Sequence, residues 1–130
     1  MFSHATLGTN DFASAVRFWS AVMGALGHRL RFVDESRPWA GWEPCGGGRP
    51  LFVLAAPFDG QAARAGNGAM LAFDCESRAM VRAGHAAGLA AGGTDEGAAG
   101  LRPEYHADYY GAYLRDPDGN KLCLVCHLAP

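Results

Sequence analysis

Few residue types in this chain could do chemistry, and their spacing argues against the simplest arrangements. Cys123-Leu124-Val125-Cys126 has the spacing of a metal-binding or redox Cys-x-x-Cys pair. The segment reads as a strand, however, and residues three apart on a strand point to opposite faces, so the two sulfurs cannot converge. Cys126 is expected in the core on a helix-covered face, with Cys123 and Val125 on the other. No second cysteine pair is present to complete a zinc ribbon. There is no nucleophile elbow, phosphate loop or dinucleotide fingerprint. Trp39, Trp42, Tyr105, Tyr109, Tyr110 and Tyr113 could pack a core or a dimer interface, or wall an apolar pocket in which Arg115 or His106 fixes a polar group. His28 and His85 read as surface residues, and Asp116 and Asp118 as turn formers.

The elements that must position these residues can be read from periodicity. Phe2–Gly8 alternates as a strand, with His4, Thr6 and Gly8 on one face and Ser3, Ala5 and Leu7 on the other. Asn10 is placed to cap a helix, Asp11 suits its positive start, Ala15, Phe18, Val22 and Leu26 recur at helical spacing, and Gly27 ends it. Short β-type runs follow near His28–Val33, Trp39–Glu43 and Leu51–Ala55. The first half, residues 1–56, therefore reads βαβββ. A polar, glycine-rich connection, 57–68, leads to a second half, 69–130, that repeats the order. It comprises a strand over Ala69–Asp74, a helix over Ser77–Leu89 stopped by Gly92-Gly93, and a hairpin of Gly111–Arg115 and Lys121–His127 across Asp116-Pro117-Asp118-Gly119-Asn120. Gly93 to Tyr109 reads as a long loop. Overlaying the halves places His4 on Met70 and Asp11 on Ser77. The predicted fold is α+β, one domain over 1–130, with two βαβββ modules whose curved antiparallel sheets surround a shared cavity.

Composition narrows the function classes. Nearly half of the 130 residues are hydrophobic and 18% are charged, a globular balance that needs no disulfides. A net charge of −2 with scattered arginines gives no footprint for nucleic acid or an anionic membrane. The N-terminus has no export signal and no apolar stretch spans a bilayer, so a cytoplasmic location is expected, with free thiols at Cys45, Cys75, Cys123 and Cys126.

Three segments carry a family resemblance. His4-Ala5-Thr6-Leu7-Gly8-Thr9-Asn10-Asp11 with Arg17-Phe18-Trp19, Pro57-Phe58-Asp59-Gly60 through Gly66-Asn67-Gly68 to Ala72-Phe73, and Tyr113-Leu114-Arg115-Asp116-Pro117-Asp118-Gly119-Asn120 together resemble the vicinal-oxygen-chelate superfamily of glyoxalases, bleomycin-resistance proteins and dioxygenases. The resemblance implies a divalent metal acting as a Lewis acid, held by ligands on the first and last strands of each half. Carried over position by position, His4 matches the first ligand. The second falls near Phe52, among the non-ligands Leu51, Phe52 and Val53. The third falls on Met70 and the fourth on Cys123.

One donor in four does not build a hard-metal site, so no metal and no other cofactor is expected. The reading is a metal-independent, small-molecule-binding glyoxalase-like protein with an apolar cavity. Its pocket residues are His4, Thr6, Met70, Ala72, His106, Tyr113, Arg115, Cys123 and Val125, and no catalytic residue is assigned. One alternative is a divalent-metal lyase or dioxygenase-type enzyme that uses His4. A second is a soft Cu(I) site at His4, Met70 and Cys123, and a third is a scaffold without a ligand. Relatives and open sheet edges imply a homodimer.

Overall fold

A computed structural model describes all of residues 1–130. The chain runs β1 (His4–Gly8), α1 (Phe12–Ala25), β2 (Arg29–Asp34), β3 (Trp39–Glu43), β4 (Leu51–Ala55), β5 (Leu71–Asp74), α2 (Arg78–Ala90), β6 (Thr94–Leu101), β7 (Tyr110–Arg115) and β8 (Lys121–Cys126). Two four-stranded sheets result, ordered β1-β4-β3-β2 and β5-β8-β7-β6. Each is mixed rather than wholly antiparallel. The first and last strands of each module, β1 with β4 and β5 with β8, run parallel because a helix and two strands separate them in the chain.

Both helices lie on one side of the sheets and pack against each other and against a single core. Strand parity sorts the side chains. Phe52, Leu54, Ala40 and Trp42 of the first module meet Leu122, Leu124, Cys126, Ala112 and Leu114 of the second beneath Phe18, Trp19, Val22 and Val81. Two small residues let α2 approach closely. A Cβ on Gly84 would come within 2.6 Å of Leu124 Cδ1, and one on Gly88 within 2.6 Å of Leu114 Cδ1 and 3.3 Å of Val22 Cγ2. No helix is long and apolar enough to cross a membrane.

Three readings from sequence change. The α1 cap is Asp11, whose carboxylate accepts from the Ser14 N–H at 3.2 Å. Asn10 instead staples the connection: its side chain exchanges hydrogen bonds with Ala63, and its N–H donates to Asp118 Oδ1 at 2.8 Å. The segment read as one long loop contains β6. Its sequence, Thr-Asp-Glu-Gly-Ala-Ala-Gly-Leu, has poor strand propensity, so pairing with β7 makes it a strand, with register shifts around Gly97. Neither His85 nor His28 is a free surface residue. The His85 side chain is only 12% exposed and pairs with Asp95 at 3.0 Å, while His28 is half-buried, which pushes its imidazole below the usual value.

The Asp116–Asn120 turn locks the modules together. Asp116, 3% exposed, accepts from the N–H groups of Asp118 and Asn120 with one oxygen. With the other it accepts from Asn120 Nδ2 and from the indole Nε1 of Trp19 at 3.1 Å. Asn120 Nδ2 also donates to the Gly8 carbonyl at the end of β1. Trp19 in turn packs on Phe52 of the first sheet and Phe73 of the second. Both aspartates of the turn serve structure, as their spacing predicts.

Candidate functional site

The faces of the two sheets turned away from the helices carry the positions where the superfamily resemblance puts its metal. His4 is exposed at the start of β1, and its Nδ1 lies 3.1 Å from Ser3 Oγ. The register pairs His4 with Leu51 and Ala5 with Phe52, so Leu51 shares the face of His4 while Phe52 enters the core. Met70 precedes β5 and is 43% exposed. Cys123 is fully buried, next to Ala72 in the register, with Sγ 3.5 Å from the Tyr109 hydroxyl. No group of three or more His, Cys, Asp or Glu side chains is arranged to hold a metal ion. The donor set therefore does not fit the superfamily's metal. The softer set fares no better, because burial pushes the Cys123 thiol up and a neutral thiol under a phenol is a poor ligand.

What covers Cys123 is the segment between β6 and β7. Tyr109 lies across Gly111, where a Cβ would come within 2.9 Å of its ring, and its hydroxyl reaches both Cys123 and the Tyr113 hydroxyl, the latter at 3.2 Å. Tyr105 packs on Tyr109 with ring centroids 4.7 Å apart. His106 Nδ1 accepts from the Asp108 N–H, so its Nε2 carries the proton and donates to His127 Nδ1 at 2.8 Å. Arg78 pairs with Asp108 at 3.3 Å. Burial pushes both phenols, Tyr109 and Tyr113, upward, which keeps them neutral. The segment thus covers Cys123, one of the four apolar residues, with Met70, Ala72 and Val125, that the sequence reading placed on a ligand wall.

Open space lies elsewhere, at the seam between the modules. A cleft of about 220 Å³ is bounded by Thr6, Leu7 and Gly8 of β1, by Arg64 and Gly66 of the connection, by Ala69, Met70 and Leu71 entering β5, and by Asn120 and Lys121. An adjoining basin of about 500 Å³ runs from Ala65 to Met70 and is closed by Arg115 and Lys121. Of the expected pocket residues, Thr6 and Met70 line the cleft and Arg115 the basin. His4, Ala72, His106, Tyr113, Cys123 and Val125 line neither.

Sequence reasoning did not group Arg64, Asn67 or Lys121. One signal was available: the five-residue turn sets Arg115 and Lys121 directly opposite each other across β7 and β8. Like charges in that relation repel, so their placement calls for an explanation. Arg115 is held by Glu96 and by the Gly119 carbonyl, and Lys121 rests over the Tyr113 ring, 5.6 Å from its centroid.

Comparison with known proteins places this geometry. The sequence model of a glyoxalase-like domain family matches residues 4–125. A glyoxalase/bleomycin resistance protein from Albidiferax ferrireducens T118 is 39% identical, with a TM-score of 0.84, and the match covers 100% of this chain and 99% of that one. A glyoxalase-related enzyme from Fulvimarina pelagi is 21% identical with a TM-score of 0.72, covering 97% of this chain and 87% of that one. A glyoxalase/bleomycin resistance protein/dioxygenase family enzyme from Burkholderia phytofirmans PsJN is 21% identical with a TM-score of 0.68, covering 97% and 98% of the two chains. Among curated proteins, nothing matches.

Proposed function

The chain belongs to the glyoxalase-like domain family, and from that premise we propose that it binds a small molecule at the seam of its two modules without using the superfamily's metal chemistry. The observation that carries this reading is the fate of the four ligand positions. An exposed imidazole, Leu51, a thioether and a thiol sealed beneath Tyr109 supply one competent donor, and one imidazole does not offset the cost of stripping water from a divalent ion.

The seam supports the binding half of the reading. It combines apolar surface from Leu7, Met70 and Leu71 with polar groups from Thr6, Asn120 and Lys121, the mix by which small-molecule sites hold and orient a ligand. The reading includes a homodimer, since the sheets are open, with edge strands β1 and β2 in one and β5 and β6 in the other. It also places the protein in the cytoplasm, where free thiols are stable.

A thermal-shift screen of small molecules run in excess chelator tests it. A true ligand raises stability by RT ln(1 + [L]/Kd), about 2.7 kcal/mol at a hundredfold excess over Kd, and the shift persists with chelator present. Hits that vanish on chelation and return with added metal would sink the proposal.

A further inference from the structure

We propose that the seam selects a small organic oxyanion, a carboxylate or phosphate attached to an apolar body, with Arg64 and Lys121 as the recognising cations. This rests on the reading that the seam is the ligand site and adds the chemical class of its ligand.

Charge balance is the first observation. The whole chain is slightly acidic, with 13 carboxylate side chains against 11 cationic ones. The seam reverses this locally: Arg64, Arg115 and Lys121 line its cleft and basin, and no Asp or Glu does. An ordinary solvated face of this protein would carry acids among those bases.

Partnering is the second. Of the ten arginines, Arg17 bonds Ser14, Arg29 and Arg31 share Glu43, Arg37 lies over Trp39, and Arg49 bonds Ser3. Arg78, Arg82, Arg102 and Arg115 are likewise engaged. Arg64 alone has no hydrogen bond, ion pair or aromatic face, and it lines the cleft. Lys121 has an aromatic face but no counter-ion. Only Arg115 is neutralised, by Glu96, so one cleft is lined by two cations without a counter-ion, Arg64 and Lys121.

The third observation is the backbone beside them. Gly66-Asn67-Gly68-Ala69 closes a turn through the Ala69 N–H and the Gly66 carbonyl at 3.1 Å, with Gly68 at φ +88°. The N–H groups of Asn67 and Gly68 donate to nothing in the chain, and both residues line the basin. Free backbone donors next to cations are a common way of cradling an oxyanion. Met70, partly exposed beside them, offers an adaptable apolar surface for the rest of the molecule.

The probes are three molecules of one shape: 3-phenylpropionate, 2-phenylethyl phosphate and the neutral 3-phenylpropanamide. Binding is measured by calorimetry in low-salt, phosphate-free buffer with chelator, and the site is located by amide chemical shifts. The expected result is that an anion binds at least about tenfold more tightly than the amide and shifts Gly66–Met70 and Lys121, the tighter anion naming the oxyanion. Arg64→Gln, on an exposed connection, and Lys121→Gln should each weaken it about tenfold, whereas Arg17→Gln on α1 should not. Unchanged thermal melting shows that the variants fold, and Arg64→Gln alone suffices if Lys121→Gln does not. Equal binding of amide and anions at the seam would overturn oxyanion selection while leaving the seam as the ligand site. Anion binding that needs an added divalent metal would overturn the metal-independent reading beneath it. Anion shifts confined to residues away from the seam, or none at all, would overturn the proposal outright.

Discussion

Replacing Asp116 with alanine should loosen the junction of the two modules by an amount that can be worked from its partners. Its carboxylate takes four N–H donors: Trp19 Nε1, Asn120 Nδ2, and the backbone N–H groups of Asp118 and Asn120. After Asp116→Ala, Asn120 Nδ2 keeps the Gly8 carbonyl, and the N–H of the partly exposed Asp118 can turn to water. The indole of Trp19 and the N–H of Asn120, both in buried residues, are left without acceptors. A buried orphaned donor costs about 1–3 kcal/mol, so the expected loss for two is about 2–6 kcal/mol, a large part of the roughly 5–15 kcal/mol that holds a domain together. Asp116→Asn retains one oxygen for the two backbone donors but turns its own NH2 toward Trp19, so its cost should be smaller, about 1–3 kcal/mol. Adding Trp19→Phe removes one of the orphans, and the penalty of Asp116→Ala should shrink by about 1 kcal/mol in that background, after allowance for the lost packing of the indole. Urea unfolding followed by far-UV circular dichroism reads all five proteins, wild type and Trp19→Phe included. A cost below about 1 kcal/mol for Asp116→Ala, with an unchanged slope, would refute the reasoning that this carboxylate is the clasp.

Three other expectations follow from particular contacts. Gly88→Ala should destabilise by about 1–3 kcal/mol, because its Cβ meets Leu114 and Val22, whereas Gly24→Ala, with nothing within 4 Å, should stabilise by up to about 1 kcal/mol; thermal melts of both decide this. In native protein Cys45 alone is exposed, burial pushes Cys75 up to about 12 and raises Cys123, so a thiol-labelling time course near pH 8 should show one fast cysteine, with Cys123 joining it after Tyr109→Ala. Asp11, Asp34 and Asp95 are each held below the usual 3.8 by hydrogen bonds, led by donors from Ser14, Ser36 and Gly97 respectively. Their contribution to stability is complete above that value and lost as pH falls through the lowered ones, so urea midpoints should drop on acidification below about pH 4 and recover on return.

The first module was legible because its runs obey simple periods: Ala15, Phe18, Val22 and Leu26 on the helix, and Trp39–Glu43 and Leu51–Ala55 on the strands. The overlay of Asp11 on Ser77 was legible for the same reason, and both residues cap their helices. β6 was not, because residues such as Ala98, Ala99 and Gly100 carry no strand signal and are recruited by β7. At the site, it was the family resemblance, not spacing, that put the third and fourth ligand positions on Met70 and Cys123. The cover over Cys123 could not be read from the sequence, because it depends on Tyr109 folding back across Gly111, a packing event with no local pattern. Nor could the grouping of Arg64 with Lys121, which are joined only when the connection crosses the end of β1.

The central claim is that these four ligand positions no longer make a metal site, and a calorimetric titration tests it most directly. Chelator-treated protein, dialysed free of chelator, is titrated separately with zinc, nickel, manganese and ferrous iron, and with His4→Ala as the control. The prediction is no saturable binding that depends on His4, because His4 has no converging partners and Cys123 stays covered by Tyr109. One equivalent of metal bound per chain, and lost in His4→Ala, would contradict it.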